Sequence, residues 1–197
     1  MRKAQLWLCG VALVALFGLY LHVDLARAAE DSVNALIVKL GVAVEKKDAA
    51  AGKKLVEQIG KHPDASIDVI MVAFKLRNKD GIGVGAKADT IKPDGIEQMI
   101  ISLDRNPPSD ADVKEQLAAW AQMGYICAAI SDVIADPEKA DINKASDQKL
   151  WKKYNEEFKK ASLAFADMAK GKPTPAAVQK AARNLNNTCL KCHDDFR

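Results

Sequence analysis

Histidine is scarce in this chain of 197 residues: His22, His62 and His193 are the only three, which limits chemistry built on imidazole. Charge of one sign is scarce too. With 29 Lys+Arg against 26 Asp+Glu, the net charge of +3 is too small for the electrostatic footprint of a nucleic-acid-binding domain. A hydrophobic fraction of 49% and a charged fraction of 28% exclude both a disordered tail protein and a multi-span membrane protein. No stretch reads convincingly as a strand, and no internal repeat is present. The four cysteines suffice for two disulfides, but Cys9, Cys127, Cys189 and Cys192 are not spaced as a disulfide framework.

What is present begins with an export signal. Arg2 and Lys3 precede an apolar run from Leu6 to Leu21, followed by Ala26-Arg27-Ala28. That is the charged, apolar and small-x-small pattern of a secretory signal peptide. The run falls short of the roughly 20 residues that span a bilayer comfortably. Residues 1–28 are expected to be removed, with cleavage after Ala28 or Ala29; if retained, they would anchor the chain to the membrane. Cys9 leaves with them, and so do Arg2, Lys3, Arg27 and Asp24. The mature chain then carries 26 positive and 25 negative residues, so most of the apparent basicity belongs to the signal.

Residues 29–197 read as one all-α domain: an antiparallel four-helix bundle with additional N-terminal helices. The last helix is expected from Pro175, capped by Thr174 after the Gly171-Lys172-Pro173 stop. Its apolar stripe runs Val178, Ala182, Leu185, Cys189, Cys192 and Phe196. A helix over 147–170 carries Trp151, Tyr154, Phe158, Ala161, Phe165 and Met168 at spacings of three and four. Before it, Pro107-Pro108-Ser109 opens a helix whose Asp112 can complete a capping box. Asp136-Pro137 closes that helix, and its apolar face holds Leu117, Trp120, Gly124, Cys127, Ile130 and Ile134.

Residues 29–108 are less regular. Helical segments are expected over 31–47, 49–60, a short stretch capped by Ser66, and 95–104. Lys79 to Pro93, with Gly81-Ile82-Gly83-Val84-Gly85, reads as a loop. Of the eight aromatic residues in the mature chain, only Phe74 precedes Trp120. A large flat group would therefore be packed in the C-terminal part.

The chemistry concentrates in Cys189-Leu190-Lys191-Cys192-His193, the C-x-x-C-H signature of covalent haem c attachment. Two thiols at i and i+3 share a helical face and can meet both haem vinyl groups. The histidine that follows can direct a ring nitrogen at the iron. A zinc site needs about four ligands, and only Cys127 and His62 could join the pair, neither at ligand spacing. A redox-active C-x-x-C usually opens a helix beside strands, whereas this one ends a helix. Export agrees with haem, which is attached outside the bacterial cytoplasm.

The ending Asn187-Thr188-Cys189-Leu190-Lys191-Cys192-His193-Asp194-Asp195-Phe196-Arg197 resembles the C-terminus of class II c-type cytochromes, the cytochrome c-prime group. The resemblance covers roughly the last 90 residues, best over 109–197. It implies a four-helix bundle with one haem, which transfers electrons or binds small gases. It assigns Cys189 and Cys192 as thioether residues, His193 as the proximal iron ligand, and Arg197 as the basic residue near that histidine. The chain departs from the family by some tens of extra residues and by a first helix that does not align.

In an up-down-up-down bundle, residues near Ile130–Ile134 and Trp151–Tyr154 should line the haem pocket. A distal ligand would come from the start of the first bundle helix, where Met71 is the candidate; its competing role is core filler, like Met99, Met123 and Met168. His62 beside Pro63 reads as a loop residue, and Cys127 as a small buried hydrophobe. Lys75, Arg77 and Lys79 form a basic run suited to an acidic redox partner or simply to solvent. The sequon Asn186-Asn187-Thr188 lies inside the haem helix and is discounted. The expected function is a periplasmic monohaem electron carrier, not an enzyme, with a redox partner protein and with homodimerisation open to it. The alternative is a five-coordinate haem protein that binds NO or CO. A peroxidase would need a distal acid–base group, and no His–Arg pairing is evident.

Overall fold

The computed structural model describes residues 32–140 and 142–196. The export segment with Cys9, and Arg197, lie outside the described residues. Seven α-helices follow one another: α1 (Val33–Glu45), α2 (Ala49–Gly60), α3 (Ile67–Val72), α4 (Ile96–Arg105), α5 (Asp110–Val133), α6 (Ala145–Ala169) and α7 (Pro175–Phe196). Among the described residues there is no strand, only an isolated bridge between Leu76 and Gly95. The fold is all-α. No helix among the described residues is long and apolar enough to cross a membrane.

Local chemistry sets the helix starts. Ser32, Asp48 and Ser66 cap α1, α2 and α3 through their side-chain oxygens. Ser109 and Asp112 form the expected capping box on α5, with Ser109 Oγ accepting from the Asp112 amide at 3.1 Å. Thr174 Oγ1 accepts from the Ala177 amide at 3.3 Å. Each such cap contributes about 1 kcal/mol. Helix α6 starts at Ala145 rather than Asp147, and α5 stops at Val133, before Pro137 and the preceding residue that a proline keeps out of helix.

Helix α5 is the centre of the molecule. Trp120, Met123, Ile126, Cys127, Ile130 and Val133 are all buried, because α1 covers one side and α6 the other. Two glycines permit this. A Cβ on Gly124 would lie 2.9 Å from the Ala166 amide nitrogen and the Ser162 carbonyl oxygen of α6. One on Gly41 of α1 would lie 3.1 Å from the Ile126 side chain. Helices α5 and α6 run antiparallel: Trp151 Nε1 donates to the Ile134 carbonyl and Asn155 Nδ2 to the Ser131 carbonyl, both at 2.9 Å. Towards the other end Tyr125 donates to Asp167 at 3.3 Å.

Helix α7 packs antiparallel on α6 and also against α4. On the α6 side Tyr154 donates to Asp195 at 2.7 Å, and the Trp151 and Phe196 rings meet edge-on at 5.3 Å. On the other side Asp104 of α4 accepts from Arg183 Nε and Asn186 Nδ2, each at 2.9 Å. Gln179 donates to the Asp104 carbonyl at 3.1 Å and to the Arg105 carbonyl at 3.4 Å, whereas Asn186, two turns on, reaches back to Asp104, so α4 and α7 also run antiparallel.

The 79–93 loop is fastened by Asp94, whose carboxylate accepts from Arg77 Nε at 2.9 Å and the Val84 amide at 2.8 Å. A second Arg77 nitrogen donates to the Gly85 carbonyl at 2.8 Å. Arg77 is therefore turned inward, and the basic run expected at the surface is reduced to the exposed Lys75 and Lys79. The same fastening joins α3 to α4, since the Glu97 amide donates to the Phe74 carbonyl at 3.0 Å.

Burial pushes the Asp94 carboxyl up, but the hydrogen bonds from Arg77 and the Val84 amide, with the Arg77 charge, outweigh it and hold it below its ordinary value. A depressed folded-state value means that this contribution is full above the unfolded value of about 3.9 and is lost as pH falls through the folded one. Asp94→Ala should cost about 2 kcal/mol in urea unfolding at pH 7. The gap between variant and wild type should narrow below about pH 4. Equal stability at pH 7 would contradict the fastening role.

Candidate functional site

The apolar stripe of α7 changes character along its length. Val178, Ala182 and Leu185 are fully buried, whereas Cys189, Cys192 and Phe196 are half-buried and His193 is exposed. Leu190 is 52% exposed, an unusual setting for a large aliphatic side chain on a packed helix. Positions 189, 192, 193 and 196 stand at i, i+3, i+4 and i+7, so the two thiols, the imidazole and the Phe196 ring share one face. That face leaves the core as it reaches the cysteines.

All three cysteines among the described residues are free thiols. Burial pushes Cys189 up to about 12, with the negative potential of Cys192 and Glu97 adding to it. Burial, then the Asp195 charge, raises Cys192. Burial raises Cys127 well above the thiol range, and Cys189 adds to it. These shifts oppose what redox or zinc thiolates require, since reactive C-x-x-C thiols are lowered by helix N-termini or cations. The pair stands instead at the negative end of the helix dipole. Among the described residues no group of three or more His, Cys, Asp or Glu is disposed to hold a metal ion. Neutral thiols beside an imidazole on a half-open helix face suit thioether attachment to a flat group that brings its own metal.

The surrounding residues come from distant parts of the chain. Trp151 and Tyr154, expected at the pocket, stand at the start of α6 against Phe196. Trp151 is fixed by its bond to the Ile134 carbonyl, which places the end of α5 beside them. Phe74 lies 6.1 Å from Phe158, ring to ring. Met71 lies one turn before Phe74, on α3, partly buried against the core.

Other candidates resolve into structural roles. His62 Nδ1 accepts from the Asp64 amide at 3.2 Å within its own turn. Met99 and Met123 are buried, Met168 packs partly against the core, and Cys127 is a buried core residue. Asn186 of the sequon is held by Asp104. Sequence reasoning missed two pairings at this end. Tyr154 and Asp195 are joined across 41 positions, and Glu97 raises the Cys189 thiol from 92 positions away. No local pattern could have signalled either pairing.

No protein-family model, curated protein or solved structure matches this chain.

The burial order makes a chemical prediction for the unmodified polypeptide. An alkylating reagent should modify Cys192 first, then Cys189, and Cys127 only after denaturation, read by peptide mass spectrometry. Because all three thiols titrate above neutrality, rates should rise about tenfold per unit from pH 7 to 8. Rapid native labelling of Cys127 would contradict the packing.

Proposed function

We propose that the chain is an exported monohaem c-type cytochrome of the class II kind, acting as an electron carrier rather than an enzyme. The observation that carries the reading is the C-x-x-C-H sequence at the half-open end of α7, its two free thiols and imidazole on one face. Cys189 and Cys192 tether the haem, and His193 binds its iron on the proximal side. Trp151, Tyr154 and Phe196 supply an apolar wall of matching flatness. Bound haem supplies one-electron redox chemistry at iron whose potential follows axial ligation, burial and nearby charge.

In this reading α5, α6 and α7 are three of the bundle helices, supported by the antiparallel pairings of α5 with α6 and α6 with α7; α1 lies against α5 at one edge and α4 against α7 at the other. Met71 is the proposed distal ligand, supported by the bond that ties the end of the α3 region to the start of α4. The export signal directs the protein to the periplasm, where residues 29–197 receive the haem and meet a redox partner.

The test is expression with a haem-attachment system, followed by mass spectrometry and optical spectra. The mature chain should gain the mass of one haem, and Cys189→Ala or Cys192→Ala should abolish two-bond attachment. A low-spin reduced spectrum indifferent to carbon monoxide fits the carrier, and Met71→Ala should then convert it to a high-spin form that binds the gas. A wild-type protein that binds carbon monoxide directly would shift the function to gas binding and remove Met71 from the iron. Full attachment in either cysteine variant would refute the site.

A further inference from the structure

The contacts between α4 and α7 fix a register that extends beyond the residues that establish it. Asp104 faces Arg183 and Asn186 at 2.9 Å each. Residues seven apart return to the same helical face. Stepping two turns back along α4 from Asp104 reaches Glu97. Stepping two turns forward along antiparallel α7 from Arg183 and Asn186 reaches Leu190 and His193. The register thus sets Glu97 opposite the turn that runs from Leu190 to His193.

Independent features agree. Glu97 contributes to the negative potential at Cys189, one turn before His193 on the same face. Its amide is bonded to the Phe74 carbonyl, which fixes the first turn of α4. Of the other carboxylates around the end of α7, Asp195 is engaged by Tyr154, Glu157 by Lys191 and Asp104 by Arg183 and Asn186, while Asp194 is exposed on the helix face turned away from the cysteines. Among the described residues the Glu97 carboxylate has no hydrogen-bond or ion-pair partner.

An iron-bound histidine has one ring nitrogen on the metal and an N–H on the other side of the ring. That N–H is generally held by a carboxylate or carbonyl, which orients the ring and increases its basicity. We propose that Glu97 accepts the remaining ring N–H of His193 and is the positioning residue for the proximal ligand. The assignment rests on the haem reading above. Negative charge drawn onto the imidazole stabilises oxidised iron, so Glu97 lowers the reduction potential.

The experiment uses the full haem-loaded chain. Glu97→Gln keeps the shape of the side chain and removes its charge. It should leave covalent attachment and helical circular dichroism unchanged. It should raise the potential by about 59 mV, a tenfold change in the reduced-to-oxidised ratio for one electron. The His193 ring N–H proton resonance in the reduced low-spin protein, kept under carbon monoxide where needed, should move upfield and exchange faster with solvent. Glu97→Asp should recover part of both effects. Glu157→Gln removes a carboxylate elsewhere at the same end, so it controls for charge alone and should leave the N–H resonance in place. An unchanged resonance in Glu97→Gln overturns the proposal even if the potential moves. A change of iron coordination in the optical spectrum also overturns it, by putting Glu97 on the metal. Absence of covalent haem from wild type instead removes the underlying haem reading, and the Glu97 assignment with it.

Discussion

The close seating of α5 between α1 and α6 is the constraint on which the rest of the molecule depends. Backbone approaches this near are possible because Gly124 and Gly41 present no side chain at the two contacts. A methyl at Gly124 would meet backbone atoms of Ser162 and Ala166, which cannot yield as a flexible side chain can. With α6 drawn in, its Trp151 reaches the Ile134 carbonyl and its Tyr154 reaches Asp195. The position of α7, and with it the thiols and imidazole, follows from that placement.

Features whose cause is local were legible in the sequence. Ser109 with Asp112, Thr174 before Pro175, and Ser66 before Ile67 act within a few residues, and each begins a helix as their chemistry requires. The C-x-x-C-H pattern is similarly local, so a candidate site could be proposed from the sequence alone. Helix pairing was not legible. Helix α5 is buried on nearly every side, which erases the periodic contrast that would have shown its partners. Asp94 looked like any loop acid, and Arg77 like any surface cation. Their bond closes a long irregular segment, and no spacing rule describes it. Asp104 and Arg183 stand 79 positions apart, and only the folded chain makes them neighbours.

The electrostatics of the α7 end complete the contrast between a sulfur that reacts as an anion and one that does not. Thiolates are favoured by cations and helix N-termini. Here Asp195, Glu97 and the helix C-terminus surround the thiols with the opposite potential, and burial acts in the same direction. Such thiols resist metal capture and adventitious disulfide formation, while remaining usable by an enzyme that supplies its own base.

The division of α7 into a buried half and a half-open half also sets the order in which the molecule can be assembled. Val178, Ala182 and Leu185 anchor the helix in the core. The final two turns are held by the Tyr154–Asp195 bond, the Lys191–Glu157 pair at 3.4 Å and the Trp151–Phe196 ring contact. Contacts of this kind open locally at a small fraction of the cost of global unfolding. The last turns can therefore fray and close again while α1, α5 and α6 stay packed. A covalent modification of this segment need not precede folding: these turns can open to a modifying enzyme and afterwards close again as helix.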